Sequence, residues 1–201
     1  YCGICGSDVH KWKDSDKRGV SSPTSAVVTG HEIVGTVKAV GPEVTEITVG
    51  DRVVCELVTF YCGRCVNCLT GRINICCNMP SMQQRAHYVT GGGYARYTVW
   101  PARHVHVLPP EISLEEGTMI EPTAGSVHSM IERMQVRAGE SVIILGPGAR
   151  GLILLQIAKA CGASPVAITG LNRDGKTRLS LARQLGADAV INVEKEDLLK
   201  R

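Results

Sequence analysis

Four cysteines dominate the chemistry available to this chain: Cys62-Gly-Arg-Cys65-Val-Asn-Cys68, followed by Cys76. Two-residue gaps turn successive thiolates inward onto one ion, and Gly63 and Gly71 supply the tight backbone that such a knuckle needs. Four soft thiolates suit tetrahedral zinc, and a closed set of four leaves no open coordination position. The expected site is therefore structural. Cys77 is an alternative fourth ligand, with Cys76 favoured by spacing.

A second signature is the turn Gly146-Pro-Gly148-Ala149-Arg150-Gly151. It follows a short β-branched run at 141–145 and opens an apolar helix reaching residue 160, which is the context that gives a Gly-x-Gly-x-x-Gly pattern meaning. Gly146 makes the tight turn, Gly148 admits a pyrophosphate, and Gly151 allows close helix–strand packing. The helix N-terminus offers N–H groups and positive potential to the phosphates. Dinucleotide binding is expected here.

Three further groups are dispersed: Cys5-Gly-Ser7-Asp8-Val-His10, Gly30-His31-Glu32 and Ile120-Glu121-Pro122. Taken singly, each has an ordinary explanation. Cys5 reads as a buried thiol, His31-Glu32 as a turn, and Glu121 as a carboxylate at a helix start.

The elements that must position these residues fall into two textures. Short β-rich runs at 32–40, 51–58, 94–100 and 103–108 are separated by Gly41-Pro42, Gly50-Asp51 and Gly91-Gly92-Gly93, which predicts a small barrel or sandwich. Ser113-Leu-Glu-Glu116 has the pattern of a capping box. Beyond Glu140 the order is strand 141–145, helix to 160, strand 165–169, helix 176–185 and strand 189–193. That βαβαβ alternation implies a parallel, doubly wound sheet.

Composition narrows the rest. The 201 residues carry 22 Lys+Arg against 19 Asp+Glu, interspersed, so no basic stripe argues for nucleic acid. No apolar run approaches the roughly 20 residues of a bilayer span. The nine cysteines are odd in number and clustered, which suits metal chemistry better than a disulfide framework. The missing initiator Met and a final Leu-Leu-Lys-Arg inside a helix-like stretch make a piece of a longer chain the expectation.

These motifs occur in an order that resembles the zinc-dependent medium-chain dehydrogenase/reductase (alcohol dehydrogenase) family, most nearly its sorbitol and other polyol dehydrogenases. The resemblance spans essentially the whole chain and also includes Val49-Gly-Asp-Arg-Val53 and Gly92-Gly-Tyr-Ala95. It implies an α/β plus β fold: a GroES-like β-rich catalytic domain at 1–120, lacking its N-terminus, then the first half of a Rossmann dinucleotide-binding domain at 121–201. Cys5, His31 and Glu121 match the catalytic zinc ligands, and Glu32 matches an adjacent carboxylate that is water-bridged or an alternative ligand. Asp8 matches the position that fixes the His31 tautomer. Ser7 and His10 match a proton relay. The implied reaction is oxidation of a secondary alcohol, a polyol or sugar alcohol, to a ketone. The metal acidifies the hydroxyl, Ser7 and His10 carry the proton away, and hydride passes to NAD or NADP. A cytoplasmic homo-oligomer, dimer or tetramer, is implied as well, acting on a small molecule with no nucleic-acid or membrane partner.

One departure concerns the cofactor. The acidic residue that binds the adenosine ribose in NAD-type relatives would fall at Gly170, and Gly170-Leu-Asn-Arg173-Asp174 stands there. The pattern favours NADP, with Arg173 pairing the 2′-phosphate; Asp174 in a rearranged loop is the alternative ribose acceptor. Arg150 sits near the phosphates or is solvated.

Other residues receive no chemical role. His104 and His106 are expected exposed on a strand, His128 packed in a helix, and Cys55 and Cys161 buried. Cys2 forms a Cys-x-x-Cys pair with Cys5 but lacks a thioredoxin-like context. His87 is a possible cleft residue. The rival functions are a threonine-type amino-alcohol dehydrogenase and a non-catalytic, zinc-stabilised nucleotide-binding module.

Overall fold

The computed structural model describes residues 1–18, 28–57, 60–79 and 92–197. His87 and the helix expected at 198–201 lie outside them. The backbone divides into two units, Tyr1–Glu121 and Pro122–Arg201.

In the first unit, runs of β-branched residues pair into one antiparallel sheet. Its strands are β1 (Cys2–Gly3), β2 (Glu32–Thr36), β3 (Arg52–Cys55) and β4 (Val105–Val107), in the order β1-β2-β3-β4. The expected strands shorten to these cores, and the stretch 94–100 forms no strand. Its leading residues instead lie along 28–30: Gly93 N donates to Gly30 O at 2.9 Å and Tyr94 N to Thr29 O at 3.0 Å. The glycines permit this approach, since a Cβ on Gly92 would fall on the Thr29 carbonyl. Ile33, Val34, Val53, Val54 and Cys55 are buried on the sheet.

His104 corrects the expectation of exposure. It closes a 3₁₀ turn, Ala102–His104, after Pro101, and only 1% of it is exposed. Burial is tolerated because both ring nitrogens are engaged: Nδ1 lies 3.3 Å from Glu56 Oε2, and Nε2 accepts from Arg103 Nε at 3.0 Å. His106 is exposed, with Nε2 3.5 Å from Glu56 Oε2.

Three helices join the unit to its site. They are α1 (Gly6–Arg18), α2 (Val66–Leu69) in the cysteine loop, and α3 (Leu114–Gly117). The capping box on α3 is formed in both directions. Glu116 N donates to Ser113 Oγ at 3.1 Å, and Ser113 N donates to Glu116 Oε2 at 2.9 Å. Gly117 packs on β2, where a Cβ would lie 2.8 Å from Val34 Cγ2. The chain then enters α4 (Ile120–Val127) and a π-helical turn, His128–Arg133. His128 is not packed as expected: its side chain is 42% exposed and pairs with Glu132 at 2.6 Å.

The second unit is the alternating half. Strands β5 (Val142–Leu145), β6 (Val166–Gly170) and β7 (Ala189–Asn192) are parallel and lie in sequence order, joined by α5 (Ala149–Ala160) and α6 (Arg178–Gln184). This is the first half of a doubly wound sheet. Its core is Met130, Leu155, Ala158, Val166, Ile168 and Ala182, each essentially without solvent contact. Asp188 ties the layers together, accepting from Val166 N at 2.7 Å and pairing with Lys159 at 3.0 Å. Cys161 is half-buried.

The capping box generates a stability prediction. Hydrogen bonds from Ser113 hold the Glu116 carboxyl below its usual range. A depressed carboxyl stabilises the fold above the unfolded carboxylate pKa, and that contribution is lost as pH falls through the lower folded value. Ser113→Ala should cost about 1 kcal/mol at neutral pH. Glu116→Gln should destabilise the fold at neutral pH and not in acid, read from denaturant midpoints; a deficit independent of pH would contradict the carboxylate's part in the cap.

Candidate metal and cofactor sites

The four-cysteine loop closes on itself through two tight turns. Gly63 and Gly71 take φ of +70° and +79°, a left-handed conformation that side chains disfavour. Between them, Cys65 precedes α2 and Cys68 lies on it, while the 3₁₀ turn Ile73–Ile75 delivers Cys76. The four sulfurs all lie within 4.8 Å of one another. Separations are 3.4 Å for Cys65–Cys68 and 3.9 Å for both Cys62–Cys68 and Cys65–Cys76. A zinc–sulfur bond of 2.3 Å in tetrahedral geometry puts ligands about 3.8 Å apart. The donors therefore fit a closed zinc site. Cys76 is buried and inside the group, whereas Cys77 is exposed and accepts from Asn67 Nδ2 at 3.4 Å.

Electrostatics point the same way. Asn78 Nδ2 donates to Cys62 at 3.3 Å, and with backbone N–H groups it holds that thiol down to about 5. Backbone donors lower Cys65 to about 7. Burial and the neighbouring sulfurs push Cys68 up to about 12. The loop thus sheds its first protons readily and its last only when a cation relieves the repulsion.

The dispersed residues converge because of sheet register. Cys2 pairs with Ile33 and Gly3 with Glu32, which carries Cys5 alongside His31 and Glu32. The ligand atoms of Cys5, His31 and Glu32 lie within 4.8 Å of one another. Glu121 stands outside that group; its charge reaches Glu32, whose carboxyl is held up chiefly by burial, opposed by His31 and reinforced by Glu121 and Asp8. Thiol, imidazole and carboxylate are donors suited to a zinc site with an open position.

Behind this set lies Asp8, buried on the first turn of α1. Its Oδ2 accepts from Cys5 N at 3.1 Å and from Tyr94 Oη at 3.0 Å. Its Oδ1 is fully buried without a hydrogen-bond partner, 3.7 Å from His31 Nδ1. A proton on Nδ1 would satisfy that oxygen and leave Nε2 free for a metal. Tyr94 has no role in the sequence reading beyond membership of Gly92-Gly-Tyr-Ala95. Its hydroxyl reaches both Gly3 O, at 2.9 Å, and Asp8, and burial with the Asp8 hydrogen bond raises its pKa. Ser7 and His10 are exposed on α1, three residues apart on one helix face, with no hydrogen bond joining them.

In the second unit, Gly146 turns the chain at φ +98° and Gly148 precedes α5 with no side chain capping its first amides. A Cβ on Gly148 would meet open space, whereas one on Gly151 would fall on the Gly146 carbonyl. The turn therefore leaves bare N–H groups of a twelve-residue helix facing an open side, which fits a pyrophosphate. Ala149 and Arg150 lie on that first turn, and the exposed Arg150 places its guanidinium 3.3 Å from a Cβ built on Gly125. Arg173 is exposed. Asp174 is 5% exposed and accepts from Leu171 N at 3.1 Å, so it is committed within its own loop rather than free for a ribose.

Residues 1–110 match the alcohol dehydrogenase GroES-like domain family. The chain is 40% identical to D-arabitol-phosphate dehydrogenase of Enterococcus avium over 200 residues, covering 100% of this chain and 54% of the relative. It is 37% identical to L-threonine 3-dehydrogenase of Bacillus velezensis, covering 98% and 54%. The crystal structure of galactitol-1-phosphate dehydrogenase from Escherichia coli superposes with a TM-score of 0.79 at 29% identity, covering 99% of this chain and 54% of that one. The chain spans about half the length of the curated relatives it matches.

Removing the Tyr94 hydroxyl should loosen Asp8 without touching a ligand. Tyr94→Phe is expected to cost about 1 kcal/mol, since the ring is 41% exposed. It should also weaken zinc retention at Cys5, His31 and Glu32 while leaving the four-cysteine site loaded, measured by chelator competition. Equal loss from both sites, or from neither, would contradict this.

Proposed function

The chain belongs to the alcohol dehydrogenase GroES-like domain family, and from that membership we propose that the protein is a zinc-dependent dehydrogenase that oxidises a secondary alcohol of a polyol or sugar alcohol to a ketone with NAD(P). The observation that carries this reading is the meeting of Cys5, His31 and Glu32 against the buried Asp8, in a chain that also folds a dinucleotide-type glycine turn. When bound, zinc supplies Lewis-acid polarisation of a hydroxyl and the nicotinamide supplies the acceptor for hydride.

The chain's own residues do the rest. Cys5 and His31 hold the metal, with Glu32 and Glu121 as the carboxylates within reach of the site. Asp8 orients His31 through Nδ1. Ser7, two residues from Cys5, takes the substrate proton and passes it along α1 to His10 and solvent. Cys62, Cys65, Cys68 and Cys76 bind the structural zinc. The amides at Gly148–Gly151 bind the pyrophosphate. No helix among the described residues is long and apolar enough to cross a membrane.

Relatives named for D-arabitol phosphate and galactitol 1-phosphate extend the substrate class to phosphorylated polyols. The threonine-type reading is supported by the relative at 37% identity.

Metal analysis of the full-length protein should find about two zinc ions per chain. Cys5→Ser should remove one and abolish turnover. One zinc, unchanged by that substitution, would favour the non-catalytic module. Assayed on free polyols, phosphorylated polyols and L-threonine with both dinucleotides, a polyol of either kind should turn over fastest. Turnover of threonine alone would replace the polyol assignment. His10→Ala should lower the rate and alter the pH–rate profile; an unaltered profile would count against the relay.

A further inference from the structure

We propose that the loop after β6 selects NADP over NAD, with Arg173 as the residue that recognises the adenosine 2′-phosphate; this rests on the dinucleotide reading above.

The place of the loop follows from the sheet. β5 and β6 run parallel with Leu145 beside Thr169, and Gly146 N donates to Thr169 Oγ1 at 3.3 Å. Gly170, the last residue of β6, therefore lies against the glycine turn, and a Cβ built on it would sit 3.0 Å from Pro147 Cγ. In a doubly wound fold, a carboxylate about twenty residues after the glycine turn accepts from the ribose 2′-hydroxyl of NAD. Here Gly170 brings no carboxylate to that place. The same Cβ would lie 2.8 Å from Cδ2 of Leu179, a side chain of α6 that is itself buried.

Among the described residues, the carboxylates hydrogen-bonded to the loop's own backbone are Asp174 and Glu194. Asp174 is buried, accepts from Leu171 N at 3.1 Å and faces Arg178 Nη1 at 3.6 Å. Glu194, arriving just after β7, accepts from Asn172 N. Each closes a backbone N–H of the loop, so taking up a ribose would break a bond that holds the loop's shape.

The cations are disposed the opposite way. Arg173 occupies the middle of the 3₁₀ turn Asn172–Asp174, exposed and with no carboxylate pairing it among the described residues. Lys176 is exposed, and the Arg178 side chain is 59% exposed. A guanidinium fork matches a phosphate with two parallel hydrogen bonds and is weakly hydrated, so it captures a dianion more readily than it replaces a lost hydroxyl acceptor. Removing the acid also removes its repulsion of the 2′-phosphate.

Fluorescence titration of the full-length protein with NADPH and NADH tests this directly. NADPH should bind at least tenfold more tightly. Arg173→Ala should weaken NADPH at least tenfold and NADH less than twofold, and 2′-AMP should compete with NADPH on the wild type but not on the variant. Arg173 is exposed, so its loss should leave the fold intact, checked by circular dichroism. NADH binding as tightly as NADPH, or equal weakening of both by Arg173→Ala, would overturn the proposal while sparing the dehydrogenase reading. Failure of both dinucleotides to bind would overturn both.

Discussion

A carboxylate withdrawn from water must be met by donors, and in the first unit that requirement is concentrated on Asp8. Its two oxygens face a backbone amide at Cys5, a hydroxyl at Tyr94 and an imidazole at His31. These partners come from three separate stretches of chain. Each hydrogen bond to a buried carboxyl is worth about 1 kcal/mol net, and a buried acceptor left unmet costs about 1–3 kcal/mol. Asp8 therefore locks the first turn of α1 to β2 and to the segment after Gly93. The candidate ligands Cys5, His31 and Glu32, whose donor atoms lie within 4.8 Å of one another, sit in front of that lock. One oxygen of Asp8 remains unpaired, which leaves the site poised for a protonated His31 Nδ1.

The cysteine loop solves the opposite problem. Four sulfurs within 4.8 Å cannot all ionise without a counter-charge. Hydrogen bonds from Asn78 and the backbone favour the first thiolates, and crowding resists the last. The loop's two left-handed glycines give the backbone the turns that bring the sulfurs together. Cys77 is kept out by one residue of turn geometry, hydrogen-bonded to Asn67 on the exposed side.

The second unit separates framework from specificity. Its parallel sheet, the bare helix start and the glycine whose Cβ would strike a carbonyl are generic to pyrophosphate binding. At the end of β6, Gly170 brings no carboxylate, Leu179 packs close against it, and Asp174 is hydrogen-bonded within its own loop.

Much of this was legible in the order of residues. Short-range spacing carries its own geometry, so the cysteine knuckle, the glycine turn, the capping box and the βαβαβ alternation could be read directly. Residues 94–100 form no strand although their composition suits one: Tyr94 N is bonded back to Thr29 O and Trp100 Nε1 donates to Glu56 O, so the stretch is held at its two ends rather than by a ladder. His104 is buried although an alternating pattern points it outward, because it sits in the turn before the strand and not within it. Tyr94, the choice of Glu32 rather than Glu121 beside Cys5 and His31, and the burial of Asp174 depend on which distant segments meet. Local sequence determines what each segment can do, because backbone preference and ligand spacing act over a few residues. Only the tertiary structure decided which of these groups share a site, because burial and pairing are set by contacts between residues as far apart as Asp8 and Tyr94.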